Sequence, residues 1–238
     1  MPPAAADQQP HRCDRLDALR GAAIVWMAAF HFGFDLNHFG WIRQDFYRDP
    51  VWTWQRTAIV SLFLFCAGAG QALAVLAGQS NGRFWKRWGQ VAGCALLVTA
   101  GSWFMFPNSW ISFGVLHGIA AMLLLLRVGL ARLPDLALLA LAAAAIVLPH
   151  VVQHPVFDTR WTNWLGLVTR KPITEDYVPV LPWLGAMLLG FVSTRARPRL
   201  WQGSAPQPLA VLGRWSLSFY MVHQPVLIGA LMAIQSIR

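Results

Sequence analysis

Charge is scarce in this chain. Asp, Glu, Lys and Arg supply 12% of its 238 residues, about half the ~25% usual in soluble domains. Hydrophobic residues make up 56%, more apolar surface than one soluble core can bury, so the surplus calls for lipid. Cysteine is equally thin. Cys13, Cys66 and Cys94 form no Cys-x-x-Cys pair, which removes a disulfide framework and a zinc site of that kind. No Gly-x-Ser-x-Gly and no His-Glu-x-x-His occurs, so serine hydrolase and zincin chemistry have no support. No metal is expected. Internal repeats are lacking, and so is any soluble basic module of the sort that nucleic-acid binding would want.

What is present is a series of apolar runs with 13 Trp and 14 Phe among them. Seven runs, over 20–38, 57–77, 88–106, 111–128, 133–150, 179–194 and 212–235, each approach the ~20 residues that cross a bilayer core. They predict an all-α, polytopic membrane protein of about seven transmembrane helices. Residues 1–19 form an N-terminal tail and 20–238 a single transmembrane domain. The first helix is expected to stay uncleaved, since no small-residue cleavage site follows it. The third and fourth runs are joined by "FPNSW", a turn that makes them a tight hairpin. With the N-terminus cytoplasmic, twelve of the 19 Lys and Arg fall on inner segments, as the positive-inside rule requires. The net charge of +9 is then mainly an inner-face charge, suited to anionic headgroups. The longest connection, 151–178, reads either as an interfacial aromatic belt or as a lid or acceptor surface on the outer side.

The first run carries polar residues in register. At 100° per residue, His31 lies about 20° past three full turns from Arg20, and Asp35 is one turn further on. Arg20 therefore stands at the inner border of a stripe, His31 near mid-membrane and Asp35 nearer the outside. Arg20 and His31 are ~16 Å apart along the axis, too far to touch but able to line one channel. Ionisable groups at such depth cost ~2.5–3.5 kcal/mol and persist where they face the bundle interior or water.

Other runs add His117, in the outer half of the fourth, and His223, mid-way along the seventh with Gln224 and Pro225 beside it. A histidine titrates near neutrality. A carboxylate bonded to one ring nitrogen would fix its tautomer and leave the other as a base toward an alcohol or amine. His31 is accordingly the candidate base and Asp35 its orienter, with His117 and His223 lining the site. The alternative for each histidine is a buried hydrogen-bonded pair that locks helices together. Gly68 and Gly70, in "CAGAG", read as packing residues that let helices approach closely.

"RLDALRGAAIVWMAAFHFGFDL", "FLFCAGAGQALA", "SFGVLHGIAAM", "DYVPVLPWLGAMLLG" and "GRWSLSFYMVHQPVLIG", in that order, resemble bacterial members of the heparan-α-glucosaminide N-acetyltransferase catalytic-domain family. That family belongs to the broader transmembrane acyltransferase superfamily. The "LDALRG" opening is also similar to the acyltransferase-three family, in which an Arg, ten residues and a His mark the first helix, the spacing of Arg20 and His31. The resemblance implies transfer of an acyl group, often acetyl, from cytosolic acetyl-CoA or another acyl-CoA to an acceptor across a bacterial inner membrane, usually a sugar or glycan. It implies a donor-side contact for Arg20 and substrate-binding places for His117, His223 and Gln224. The expected partners are acyl-CoA, the acceptor and the lipid bilayer, with a homo-oligomer allowed. Two other classes remain open: a proton-coupled small-molecule transporter, and a non-catalytic membrane scaffold whose histidines only lock helices.

Overall fold

The computed structural model describes residues 13–237. Most of the N-terminal tail, with Arg12, and the terminal Arg238 lie outside the described residues. Within them the chain is all helical. The α-helices are α1 (Asp14–His38), α2 (Pro50–Leu76), α3 (Asn81–Met105), α4 (Val115–Val128), α5 (Asp135–Val151), α6 (Val180–Ala196), α7 (Gln207–Arg214) and α8 (Ser216–Gln235).

Their starts have local chemical causes. Asp49 accepts a bond from the Val51 N–H at 2.8 Å, and Pro50 occupies the first turn of α2, where its missing N–H costs nothing. Ser80 does the same for α3 through the Arg83 N–H. α1 begins six residues before the first apolar run. Its polar first turn is tied down by Arg20 on Asp17 at 2.9 Å and by Arg214 on Asp14 at 3.4 Å.

The last apolar run is not one helix. It breaks at Trp215 into α7 and α8, so that α8 fills the expected span 212–235 from Ser216 onward and residues 212–214 end α7. α7 packs along the N-terminal half of α1. There Gly213 meets the backbone of Asp17 and Gly21 meets that of Leu209. α8 then leaves in a new direction, running beside α1 and α3.

The most extensive pairings are α2 with α6 and α1 with α7. Gly68 of α2 lies against the Met187 carbonyl, and Gly190 of α6 against that of Phe65, so neither position has room for a Cβ. The main core collects Leu64, Met122, Leu138, Met187, Leu188 and Phe191 from α2, α4, α5 and α6. A second cluster forms at the other end of α1, where Met27 and Phe30 meet Phe46 and Ile59. At the α4–α5 turn Arg195 of α6 binds Asp135 and the carbonyls of Ala131 and Leu133, at 3.1 and 2.9 Å for the two carbonyls.

The outward faces are apolar. Leu96 is 67% exposed and Phe104 84% exposed on α3, and Leu136, Val226 and Met232 behave alike on α5 and α8. Among the described residues two helices, α2 and α8, are long and apolar enough to cross a bilayer by themselves. α4, α5 and α6 are apolar and 14 to 17 residues long.

Candidate active site

α1 and α8 face each other along the polar stripe, and the stripe is met residue by residue. His31 Nδ1 lies 2.7 Å from His223 Nε2. The two rings are nearly parallel, with centroids 5.0 Å apart. On its far side His223 Nδ1 is 2.8 Å from the Tyr220 carbonyl. A carbonyl only accepts, so His223 Nδ1 carries a hydrogen and donates it. In a neutral ring its Nε2 is then an acceptor, and His31 Nδ1–H must be the donor. That assignment leaves His31 Nε2 with its lone pair, in a side chain that is only half buried. Phe219 stacks on His223 and Phe30 lies against His31, so both rings are walled by aromatic groups.

One turn further along α1, Asp35 does not meet His31. Its Oδ1 accepts a bond from Gln224 Nε2 at 2.8 Å. The expected orienter of His31 is thus replaced by His223. Although His31 and Asp35 stand one turn apart, each takes its partner from α8. His223 and Gln224, neighbours on α8, serve His31 and Asp35 in turn.

His117 stands elsewhere in the fold. Its Nδ1 accepts from the Gly114 N–H at 3.2 Å, and its Nε2 is 3.1 Å from Thr99 Oγ1, whose hydroxyl donates to the Ile111 carbonyl at 2.8 Å. Both nitrogens are used in pinning the α3–α4 turn. The Ser102 hydroxyl adds a bond from the Ile111 N–H.

At the N-terminal end of the stripe, Arg20 reaches across to α2. It donates to Asp17 and, at 3.3 Å, to the Cys66 carbonyl. Its guanidinium fills the space beside Gly70 where a side chain would stand. Two of its five N–H groups are engaged this way.

The 151–178 connection is ordered by its own polar bonds. Asp158 accepts from the Thr169 hydroxyl and N–H at 2.6 and 2.7 Å, and these bonds hold its carboxyl below the ordinary value. Tyr177 donates to the Asn163 carbonyl at 2.7 Å. Asp176 turns inward and caps α4, accepting the Val115 N–H at 2.7 Å. Burial pushes its carboxyl up to about 6, although the Val115 bond, Lys171 and Arg56 all act in the opposite direction. Nothing in the sequence marked Asp176 as a cap, because its helix begins 61 residues earlier. The Thr99–His117 bond was equally silent.

Among the described residues, no three of His, Cys, Asp and Glu gather as a metal set. Residues 12–225 match the family described as heparan-alpha-glucosaminide N-acetyltransferase, catalytic. No curated protein and no solved structure matches the chain.

Proposed function

Since the chain belongs to the heparan-α-glucosaminide N-acetyltransferase catalytic family, we propose that it is a multi-pass acyltransferase of a bacterial inner membrane. It moves an acetyl group from cytosolic acetyl-CoA, or a related acyl group from its CoA ester, to a sugar-like acceptor at the periplasmic side. About seven membrane passages with the N-terminus inside fit the apolar outward faces of α3, α5 and α8. Helices of 14 to 17 residues span the rest with their flanking turns.

The observation that carries the reading is the fixed tautomer of His31. Its Nδ1–H is given to His223, which leaves Nε2 as a base aimed away from that pair. An acceptor hydroxyl or amine loses its proton to Nε2 as its oxygen or nitrogen attacks the thioester carbonyl. The tetrahedral intermediate collapses by breaking the carbon–sulfur bond. The leaving CoA thiolate takes the proton back from Nε2, so His31 ends as it began. His223 supports the transient imidazolium through the Nδ1 bond, and the Tyr220 carbonyl supports His223. Arg20 holds an anionic group of the donor at the inner side through its forked N–H groups. Asp35 and Gln224 complete the site on the acceptor side. His117 serves it by fixing the α3–α4 turn.

Purified protein supplied with acetyl-CoA and an amino sugar tests the reading. Release of CoA with acetylation of the sugar is expected in the wild type and absent in His31→Ala. Equal turnover in a folded His31→Ala protein rules out the base.

A further inference from the structure

Two polar pairs cross from α1 to α8. In the first, His31 with His223, the bonds run on to the Tyr220 carbonyl. The second is different. Gln224 donates to Asp35 Oδ1 at 2.8 Å, yet Asp35 Oδ2 and Gln224 Oε1 are both buried with no partner. Asp35 as a whole is only 3% exposed. The amide cannot be turned over to relieve this, since its oxygen would then face a carboxylate oxygen. Both orphan atoms are therefore acceptors, one of them on a carboxylate. A buried acceptor left without a hydrogen is costly, and more so when it is charged.

Two buried acceptors on one hydrogen-bonded pair of side chains select a class of ligand. They attract N–H and O–H groups and repel phosphates, carboxylates and carbonyls. This is the reverse of what Arg20 attracts at the other end of the stripe. Asp35 lies about 6 Å beyond His31 by helical rise, a gap that one hexose-sized group covers. Resting on the acyltransferase reading above, we propose that Asp35 Oδ2 and Gln224 Oε1 anchor the acceptor by its own hydrogens. The group they take is an amine, or neighbouring hydroxyls of a polyol, next to the atom that His31 deprotonates. One helix thus sorts the two substrates by hydrogen-bond polarity: anions at Arg20, hydrogen donors at Asp35, and the transfer between them.

The test uses the full chain with acetyl-CoA as donor and glucosamine as the acceptor probe. Asp35→Asn keeps the shape but puts an N–H2 where an acceptor stood. Gln224→Met keeps the length and removes the orphan oxygen. Each variant is expected to raise KM for glucosamine ~10-fold or more, the loss of one good hydrogen bond to a charged or buried group. The affinity for acetyl-CoA, measured separately, is expected to stay near that of the wild type, and kcat is expected to change less than KM. A fall in melting temperature with KM unchanged overturns the proposal in favour of a purely structural pair. A loss confined to kcat overturns it too, because the pair then acts on the chemistry. Wild-type protein that binds acetyl-CoA but leaves glucosamine unacetylated counts against the anchor. Failure to bind acetyl-CoA at all removes the acyltransferase reading itself.

Discussion

His31 and His223 are 192 residues apart in sequence and 2.7 Å apart in space, joined through Nδ1 of one ring and Nε2 of the other. The pair makes the two helices that carry it a single chemical unit. Among the described residues neither ring has a carboxylate as its hydrogen-bond partner, so under the proposed mechanism a second imidazole and a backbone carbonyl are what would support a charge on His31.

From this follows a non-additive loss. His31→Ala is expected to remove the base contribution, typically 10²–10⁴-fold in kcat. His223→Ala frees the His31 ring to adopt the wrong tautomer and is expected to cost somewhat less. The double variant should be little worse than His31→Ala alone, because both changes disable one step. Steady-state kcat for the three proteins, alongside their melting temperatures, decides it. Additive losses would show that the rings act separately.

Arg20 should matter to the donor more than to the fold. Arg20→Ala gives up an ion pair and a bond to the Cys66 carbonyl, part-exposed contacts of modest worth. If it also gives up a charge-assisted bond to an anion, CoA affinity falls by roughly 10- to 100-fold. Calorimetric titration with CoA reads the difference, and an unchanged Kd would confine Arg20 to joining α1 and α2.

Topology has its own test. In a background without the three native cysteines, Trp161→Cys should react with a membrane-impermeant maleimide added outside intact cells. Trp161 is 89% exposed, on the 151–178 connection. Arg83→Cys, at the inner end of α3, should react only after the membrane is opened. The opposite pattern would invert the assignment.

The cap on α4 should be sensitive to pH. The Asp176 carboxyl has its folded pKa raised, from 3.8 to about 6. A raised carboxyl favours the folded state most below its unfolded pKa, and that contribution is lost as pH rises through about 6. The melting temperature should therefore decline between about pH 4 and 6 by more in wild type than in Asp176→Asn, whose side-chain oxygen still accepts the Val115 N–H. Identical pH profiles would mean that the carboxyl titrates normally. Asp158, with its pKa lowered by Thr169, acts in the opposite sense and loses its contribution only in stronger acid.

The sequence made some of this legible and hid the rest for physical reasons. Helical period alone placed Arg20, His31 and Asp35 on one face, because that relation is local and needs only 100° per residue. Asp49 and Pro50 carry a local signal of the same kind for the start of α2, which the apolar run alone placed at 57. Partners across an interface carry no period. Thus His223 was visible as a buried histidine but not as the group that meets His31, and Asp35 was assigned to the wrong neighbour. A hint was available in the matching pairs, His31 with Asp35 one turn apart and His223 beside Gln224. The break at Trp215 was hidden because no Gly or Pro interrupts the chain through "RWSLS", while the close approach of Gly213 to Asp17 beside it involves another helix. Asp176 sits between Glu175 and Tyr177 in a stretch that looks like solvated loop, and only the chain path brings it to Val115.

Gly70 and Arg20 share one volume: the guanidinium of α1 occupies the place where α2 would hold a side chain. Position 70 is in effect furnished by a different helix. A serine or larger residue there would meet the tip of a flexible side chain, so the guanidinium would shift while the helix packing stays as it is. Grafting in an α2 with such a residue would displace the cation rather than transplant its surroundings.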